Sequence, residues 1–221
     1  MLSFSRYRAI AIAFLLGVLA SGCATQQAPF DYAAFKESKP KSILVLPPLN
    51  SSPDVAATYG MLSQVTYPLA ESGYYVLPVT LVDETFKQNG LTTPTDIHNV
   101  APAKLFEIFG ADSALYVDVK SYGTSYVVVN SATTVTATAK LVDLRNGAVL
   151  WHGAATASSA ENQSNQNGLV GMLVSAIVNQ IVASTTDASF KIAGTASSRL
   201  LMAGRKNGML YGPRSPKYQS D

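Results

Sequence analysis

Apolar residues fall along the chain in blocks of contrasting period, and the periods predict the elements. Ile43-Leu44-Val45-Leu46 is a continuous apolar run stopped by Pro47-Pro48, which suits a fully buried strand. Asn50-Ser51-Ser52-Pro53-Asp54 then signals a helix start, with Ser52 as cap, Pro53 at the first position and Asp54 at the positive end of the dipole. That helix is expected to run to Ser72, with Pro68 near its end and Gly73 closing it. Tyr74-Tyr75-Val76-Leu77-Pro78 is the next strand. Together these predict a strand–helix–strand unit, whose two strands are normally parallel. Thr80-Leu81-Val82-Asp83 reads as a capping box for a helix over 81–88. Thr93-Pro94-Thr95-Asp96 repeats the start signal. A further helix is expected over 101–109, with Leu105, Phe106 and Phe109 toward the core and Gly110 at its end.

The second half changes to a period of two. Leu115 to Lys120 alternates apolar and polar positions, Gly123-Thr124 is expected to break the strand, and Tyr126 to Val129 continues it. Thr133 to Leu144 is a long strand of small and β-branched residues. Asn146-Gly147 predicts a hairpin returning through Ala148-Val149-Leu150-Trp151 to Ala157. Residues 160–167 are polar and read as an exposed loop. Residues 168–186 carry no charge, and Leu169, Leu173, Ile177 and Ile181 form one helical stripe. The stripe suits packing on the sheet, or contact with a membrane or partner. A last helix over 187–203 precedes a tail, 204–221, read as an extended arm. Tyr211 and the four stripe residues are candidate interface positions. The fold class is mixed α/β: a parallel strand–helix–strand start, an antiparallel meander and packed helices in one domain, 42–203.

The first block of the chain has a different character. Arg6 and Arg8 precede the apolar run Ala9–Ala20, and Ala20-Ser21-Gly22-Cys23 follows. A basic head, a short apolar run and small residues before a cleavage point make a secretory signal peptide. The run is too short for the roughly 20 residues of a spanning helix. Cys23, the only cysteine, stands where the lipobox of bacterial lipoproteins has its acylated residue, although Ala20 takes the position where leucine is usual. That resemblance implies cleavage between Gly22 and Cys23, with 1–22 as signal peptide and 23–41 as acylated cysteine and periplasmic tether, carrying a short helix near Asp31–Phe35. Ala24 follows the cysteine where an aspartate would signal inner-membrane retention, which implies the periplasmic face of the outer membrane. The tether extends at most ~60 Å.

Composition narrows the chemistry. The mature chain balances 14 basic against 14 acidic side chains, because Arg6 and Arg8 leave with the signal peptide. Nothing suggests a nucleic-acid surface; Arg205, Lys206, Arg214 and Lys217 are spread thinly along the tail. There is no Gly-x-Ser-x-Gly elbow, no phosphate-binding Gly-Lys-Ser/Thr loop and no His-Glu-x-x-His. An acylated Cys23 leaves no thiol for zinc, disulfide or nucleophilic chemistry. His98 and His152 lack a partner at ligand spacing, so no metal or cofactor is expected. Asp112, Asp118 and Asp143 are spread over the β half; turn and solvent roles account for Asp118 and Asp143, with an envelope hydrolase pair as the alternative. The tyrosines Tyr59, Tyr67, Tyr74, Tyr75, Tyr116, Tyr122 and Tyr126 suit core packing or a recognition surface.

Several stretches then resemble a family of bacterial lipoproteins of unknown function. They are 43–48 (Ile-Leu-Val-Leu-Pro-Pro), 110–117, Tyr122-Gly123-Thr124-Ser125-Tyr126, 141–151 and the tail 210–218. The family usually has Thr-Gly where this chain has Asn146-Gly147. The resemblance implies a fold similar to the amino-terminal α/β domain of TolB and to CsgG-like lipoproteins. It also implies a non-catalytic role beside a CsgG-like lipoprotein and a second small lipoprotein in an envelope secretion or surface-assembly complex. Activation of cell-wall synthesis is the alternative that the CsgG-like analogy suggests.

Overall fold

The computed structural model describes residues 29–127, 130–162 and 188–220. The signal region with Gly22 and Cys23, and the stripe Leu169, Leu173, Ile177 and Ile181, lie outside the described residues. The residues from Asp31 onward form one compact unit.

Its elements are α1 (Ala33–Ser38), β1 (Ser42–Val45), β2 (Leu49–Asn50), α2 (Ala57–Glu71), β3 (Tyr75–Val76) and α3 (Val79–Gln88). Then come α4 (Pro94–His98), α5 (Pro102–Phe109), β4 (Ser113–Val127), β5 (Asn130–Asp143), β6 (Val149–Ser158), a 3-10 turn at Ser159–Asn162, and α6 (Ala188–Leu201). The sheet order is β3-β1-β4-β5-β6, with β2 a sixth strand beside β4. β1 pairs in parallel with β3 and β4, while β4, β5 and β6 form an antiparallel meander. This is the mixed α/β sheet expected.

β1 is the centre of the core. Ile43 to Leu46 have no exposed surface. Period-two alternation sends Leu44 and Leu46, with Ala114, Tyr116, Val142 and Leu144, to the face covered by α3, α4 and α5. Ile43 and Val45 take the opposite face, where α2 and α6 pack. Ala193, Ala196 and Ser197 keep α6 slim, and Ser197 Oγ lies 3.4 Å from Met61 Sδ of α2. Pro47-Pro48 ends β1, yet the chain resumes pairing with β4 as β2: Leu46 N donates to Leu115 O and Ser51 N to Val119 O.

Several local signals resolve differently from the expectation. α2 begins at Ala57 rather than Pro53, because Asn50 Oδ1 takes Ser52 N and Asp54 Oδ1 takes Ala56 N. These side chains outcompete the helix for backbone donors over that stretch. The Thr80 box does not form, since α3 already starts at Val79 and Thr80 lies inside it. The box at Thr93 does form: Thr93 Oγ1 accepts from Asp96 N and donates to the Asp96 carboxylate. On α5, Leu105 is fully buried and Phe109 packs tilted against Phe86 with ring centroids 5.1 Å apart, but Phe106 is 41% exposed. Residue 106 lies about 100° off the stripe that 105 and 109 share. Gly123 does not break β4; it sits at φ +135° and stays paired with Thr134, and the irregularity falls earlier, between Val119 and Ser121.

Both chain ends of the unit fold back onto it. α1 is a packed helix whose Phe35 is buried, so the ordered domain starts before residue 42. The tail is not a free arm. Ser72 Oγ, buried at the end of α2, donates to Pro68 O and accepts from Ala203 N at 2.8 Å. Gly212 N donates to Ser72 O, Arg214 N to Gly73 O, Trp151 Nε1 to Asn207 O and Tyr74 Oη to Leu210 O. Gly73, at φ +95°, passes so close to the tail that a Cβ there would lie 2.4 Å from Ser215 N.

Asp143 also departs from expectation. It is 1% exposed rather than a solvated turn residue. Its carboxylate accepts from Arg145 N and Nε at 2.8 and 2.9 Å, from Arg145 Nη2 at 2.5 Å and from Ser38 Oγ at 2.6 Å. Arg145 Nη2 also donates to Ser38 O, so the group clasps the β5–β6 turn to the end of α1. Burial pushes the Asp143 carboxyl up, but the Arg145 and Ser38 hydrogen bonds outweigh it and hold the group below the ordinary carboxylate range.

Two predictions follow from these contacts. Ser72→Ala leaves the buried Ala203 N–H unpaired, and urea unfolding is expected to show a loss of about 1–3 kcal/mol. A depressed carboxyl is protonated first in the unfolded chain, so Asp143 stabilises fully above about pH 3.9 and loses its contribution as pH falls through the lower folded value. Unfolding midpoints measured between neutral and acid pH should therefore fall less steeply in Asp143→Asn than in the wild type.

Candidate functional site

A concave feature lined by both polar and apolar groups lies between α1 and the tail. Its volume is about 230 Å3. Phe35, buried Pro40, Tyr74 and Leu210 form an apolar floor, and Tyr211 and Tyr218 add aromatic walls. Lys36, Lys39 and Gln219 stand at its solvent side. The described lining residues include no carboxylate.

Each wall has a local cause. Lys36 stands in the last turn of α1, and Lys39 is the residue that closes the helix. Lys39 is the C-cap and adopts the left-handed conformation at φ 48°, with its N–H on Phe35 O. Tyr211 lies over Gly204, where a Cβ would come within 2.3 Å of its hydroxyl; Gly204, at φ +81°, leaves that room. Lys217 Nζ sits 5.6 Å from the centroid of the Tyr211 ring and Arg214 covers Tyr75 at 5.0 Å. Two of the four tail cations, Arg214 and Lys217, are thus arranged over aromatic rings, while Arg205 and Lys206 are exposed.

Tyr211 is the one candidate interface residue within the described part of the chain, and it belongs to this cavity. Lys36, Lys39 and Phe35 were hidden by the polar composition of 24–41, which reads as tether. The signal that could have found them is the Tyr32–Phe35 and Lys36–Lys39 spacing on a four-residue turn, closed by Lys39-Pro40.

The remaining candidates are engaged structurally. His98 Nε2 donates to Pro47 O at 3.0 Å, and its ring meets Tyr116 edge-on at 5.2 Å. Burial pushes the His98 imidazole down against the pull of that carbonyl, which keeps it neutral at pH 7 and fixes α4 to the Pro47-Pro48 bend. Lys140 Nζ lies 4.9 Å from the centroid of the Tyr116 ring, and burial raises the Tyr116 phenol. His152 is exposed on β6. Asp112 Oδ2 accepts from Lys41 N, Ser42 N and Ser42 Oγ, joining β4 to β1. Asp118 pairs with Lys120 and takes Ser51 Oγ at 3.0 Å. Of the tyrosines, Tyr74, Tyr116 and Tyr122 are buried, whereas Tyr59, Tyr67 and Tyr75 are exposed. Among the described residues no three His, Cys, Asp or Glu side chains are placed to hold a metal, and no helix is long and apolar enough to cross a membrane.

Comparison with known proteins bears on the whole of this architecture. The protein is 56% identical over 202 residues to Putative lipoprotein NMB1124/NMB1162 of Neisseria meningitidis serogroup B, covering 90% of this chain and 94% of that relative. The crystal structure of lipoprotein GNA1162 from Neisseria meningitidis matches at 57% identity and a TM-score of 0.53, over 65% of this chain and 99% of that one. The LpoB C-terminal domain from Salmonella enterica is a remoter match, at 18% identity and a TM-score of 0.39 over 53% of this chain and 82% of its own. The family described as Putative lipoprotein GNA1162-like matches residues 30–214, so this chain, with its mixed sheet, packed α1 and docked tail, belongs to that lipoprotein family.

Proposed function

We propose that this protein is a non-catalytic lipoprotein of the outer membrane, held through Cys23 and facing the periplasm, where it works by binding other envelope proteins. The observation that carries the reading is the sequence Ala20-Ser21-Gly22-Cys23 behind an apolar run too short to span a bilayer, joined to a domain of this lipoprotein family. Family membership supports membrane anchoring; Ala24 after the cysteine supports the outer membrane as the address.

The domain's own chemistry supports binding over catalysis. Asp112, Asp118 and Asp143 each hold structural hydrogen bonds in different parts of the fold. What the domain presents instead is exposed aromatic surface at Tyr59, Tyr67 and Tyr75, the residue type that concentrates binding energy at protein interfaces. A CsgG-like lipoprotein and a second small lipoprotein in a secretion or surface-assembly complex are the partners this reading names. A domain that starts at Asp31 also shortens the leash: from Cys23 the eight-residue step spans at most about 30 Å. That keeps the domain beside its own leaflet, which favours partners in the same membrane over an inner-membrane synthase.

Metabolic labelling with palmitate should mark the wild type and not Cys23→Ser, and density-gradient fractionation should place the labelled protein with the outer membrane. Label in the variant would overturn the anchoring. Crosslinking in intact cells, followed by purification and mass spectrometry, is expected to recover a CsgG-like protein or a fellow lipoprotein. Recovery of the uncomplexed monomer alone would overturn the partner.

A further inference from the structure

We infer that the cavity between α1 and the tail is a binding site for the headgroup of an anionic phospholipid, with the phosphate at Lys36 and Lys39 and the glycerol and first methylenes against Phe35, Tyr74, Leu210 and Tyr211. The inference rests on the anchoring proposed above, which supplies the membrane.

Charge comes first. Lys36 of α1 and Lys39, its C-cap, face a cavity whose described lining holds no acid, and neither lysine takes part in an ion pair among the described residues. Size comes second. At about 230 Å3 the cavity is smaller than the roughly 300–1,000 Å3 of sites that enclose drug-sized ligands. It suits one phosphate-bearing headgroup better than a nucleotide or a folded peptide. Apolar and cationic surfaces meet at its mouth, as a headgroup at the junction of phosphate and hydrocarbon requires.

The backbone adds a third observation. Lys39, Asn207 and Gln219 are the described non-glycine residues with positive φ, and Lys39 and Gln219 both line this cavity. A lysine in the left-handed region is less favourable than glycine by roughly 1–2 kcal/mol. The residue best suited to the backbone at 39 is therefore glycine, while the residue present is a cation. Position finally fixes the source of the anion. Lys36 lies in, and Lys39 caps, the first helix described in the compact unit, and Asp31 stands only eight residues beyond Cys23. Of the anions available to a tethered domain, the headgroups of its own leaflet are the most concentrated.

The test uses the mature chain with Cys23→Ser, so that binding does not depend on the acyl anchor. Affinity is measured for phosphatidylcholine vesicles with and without phosphatidylglycerol, for monomeric dihexanoyl-phosphatidylglycerol and for inorganic phosphate. Binding is expected to require phosphatidylglycerol, to include the monomeric lipid, and to fall about tenfold in Lys36→Ala/Lys39→Gly. Lys39→Gly alone should lose affinity while its unfolding temperature holds or rises, since glycine relaxes the backbone there. Arg205→Ala/Lys206→Ala makes the same charge change on exposed tail residues outside the cavity and should leave affinity within about twofold. An equal loss in that control would show diffuse attraction and overturn the site. Inorganic phosphate binding as tightly as the monomeric lipid would overturn the lipid as its source, and no binding to either would overturn the inference. Absence of acyl mass on Cys23 in the native protein would instead remove the anchoring, and it is read without reference to this assay.

Discussion

One buried hydroxyl at the end of α2 ties the chain together. Ser72 Oγ satisfies Ala203 N while its own carbonyl takes Gly212 N, and Gly73 O takes Arg214 N. The path from α6 back along the domain therefore passes through two consecutive residues of the α2–β3 connection. The arrangement works only because Gly73 and Gly212 let two backbones approach without side chains between them: a Cβ on Gly212 would come within 2.6 Å of the Gly73 backbone. Once the tail is held there, its other contacts follow. Asn207 O reaches the Trp151 indole, Leu210 O reaches Tyr74, and Tyr211 settles over Gly204 to wall the cavity.

The same tail explains why α1 is part of the domain. Tyr32 Oη donates to Gly208 O, and Phe35 packs against the region that Tyr74 and Leu210 close. At its other end, α1 is clasped by Ser38, Asp143 and Arg145. A six-residue helix has little stability of its own, since isolated helices under about 12–15 residues are marginal in water. α1 is ordered by what grips its two ends, and the cavity it roofs is a consequence of the tail being docked.

The sheet was readable from the chain because its signals are local. The apolar run 43–46, the alternation after Leu115 and the Asn146-Gly147 turn each state their own conformation. The structure keeps all three, and Gly147 takes φ +77° in the turn. What escaped was decided by partners far away in sequence. Nothing local says that Asp143 is buried, because its burial depends on Ser38, 105 residues earlier. Nothing local says that 204–220 is docked, because the acceptors are Ser72 and Gly73. The α2 start was misplaced for a subtler reason: Ser52, Pro53 and Asp54 do start a turn, but Asn50 and Asp54 spend it on Asx contacts before the helix begins.

The candidate site follows the same division. Tyr211 stood out as part of an unusual tail motif, whereas Lys36 and Lys39 looked like solubilising charge in a tether. They acquire meaning only when the tail supplies an apolar wall opposite them. A flexible tether would gain nothing from a lysine in the left-handed region, since glycine or asparagine would close the helix with less strain. Lys39 keeps that conformation at the mouth of a cavity whose described lining holds no acid, directly after the last residue of α1.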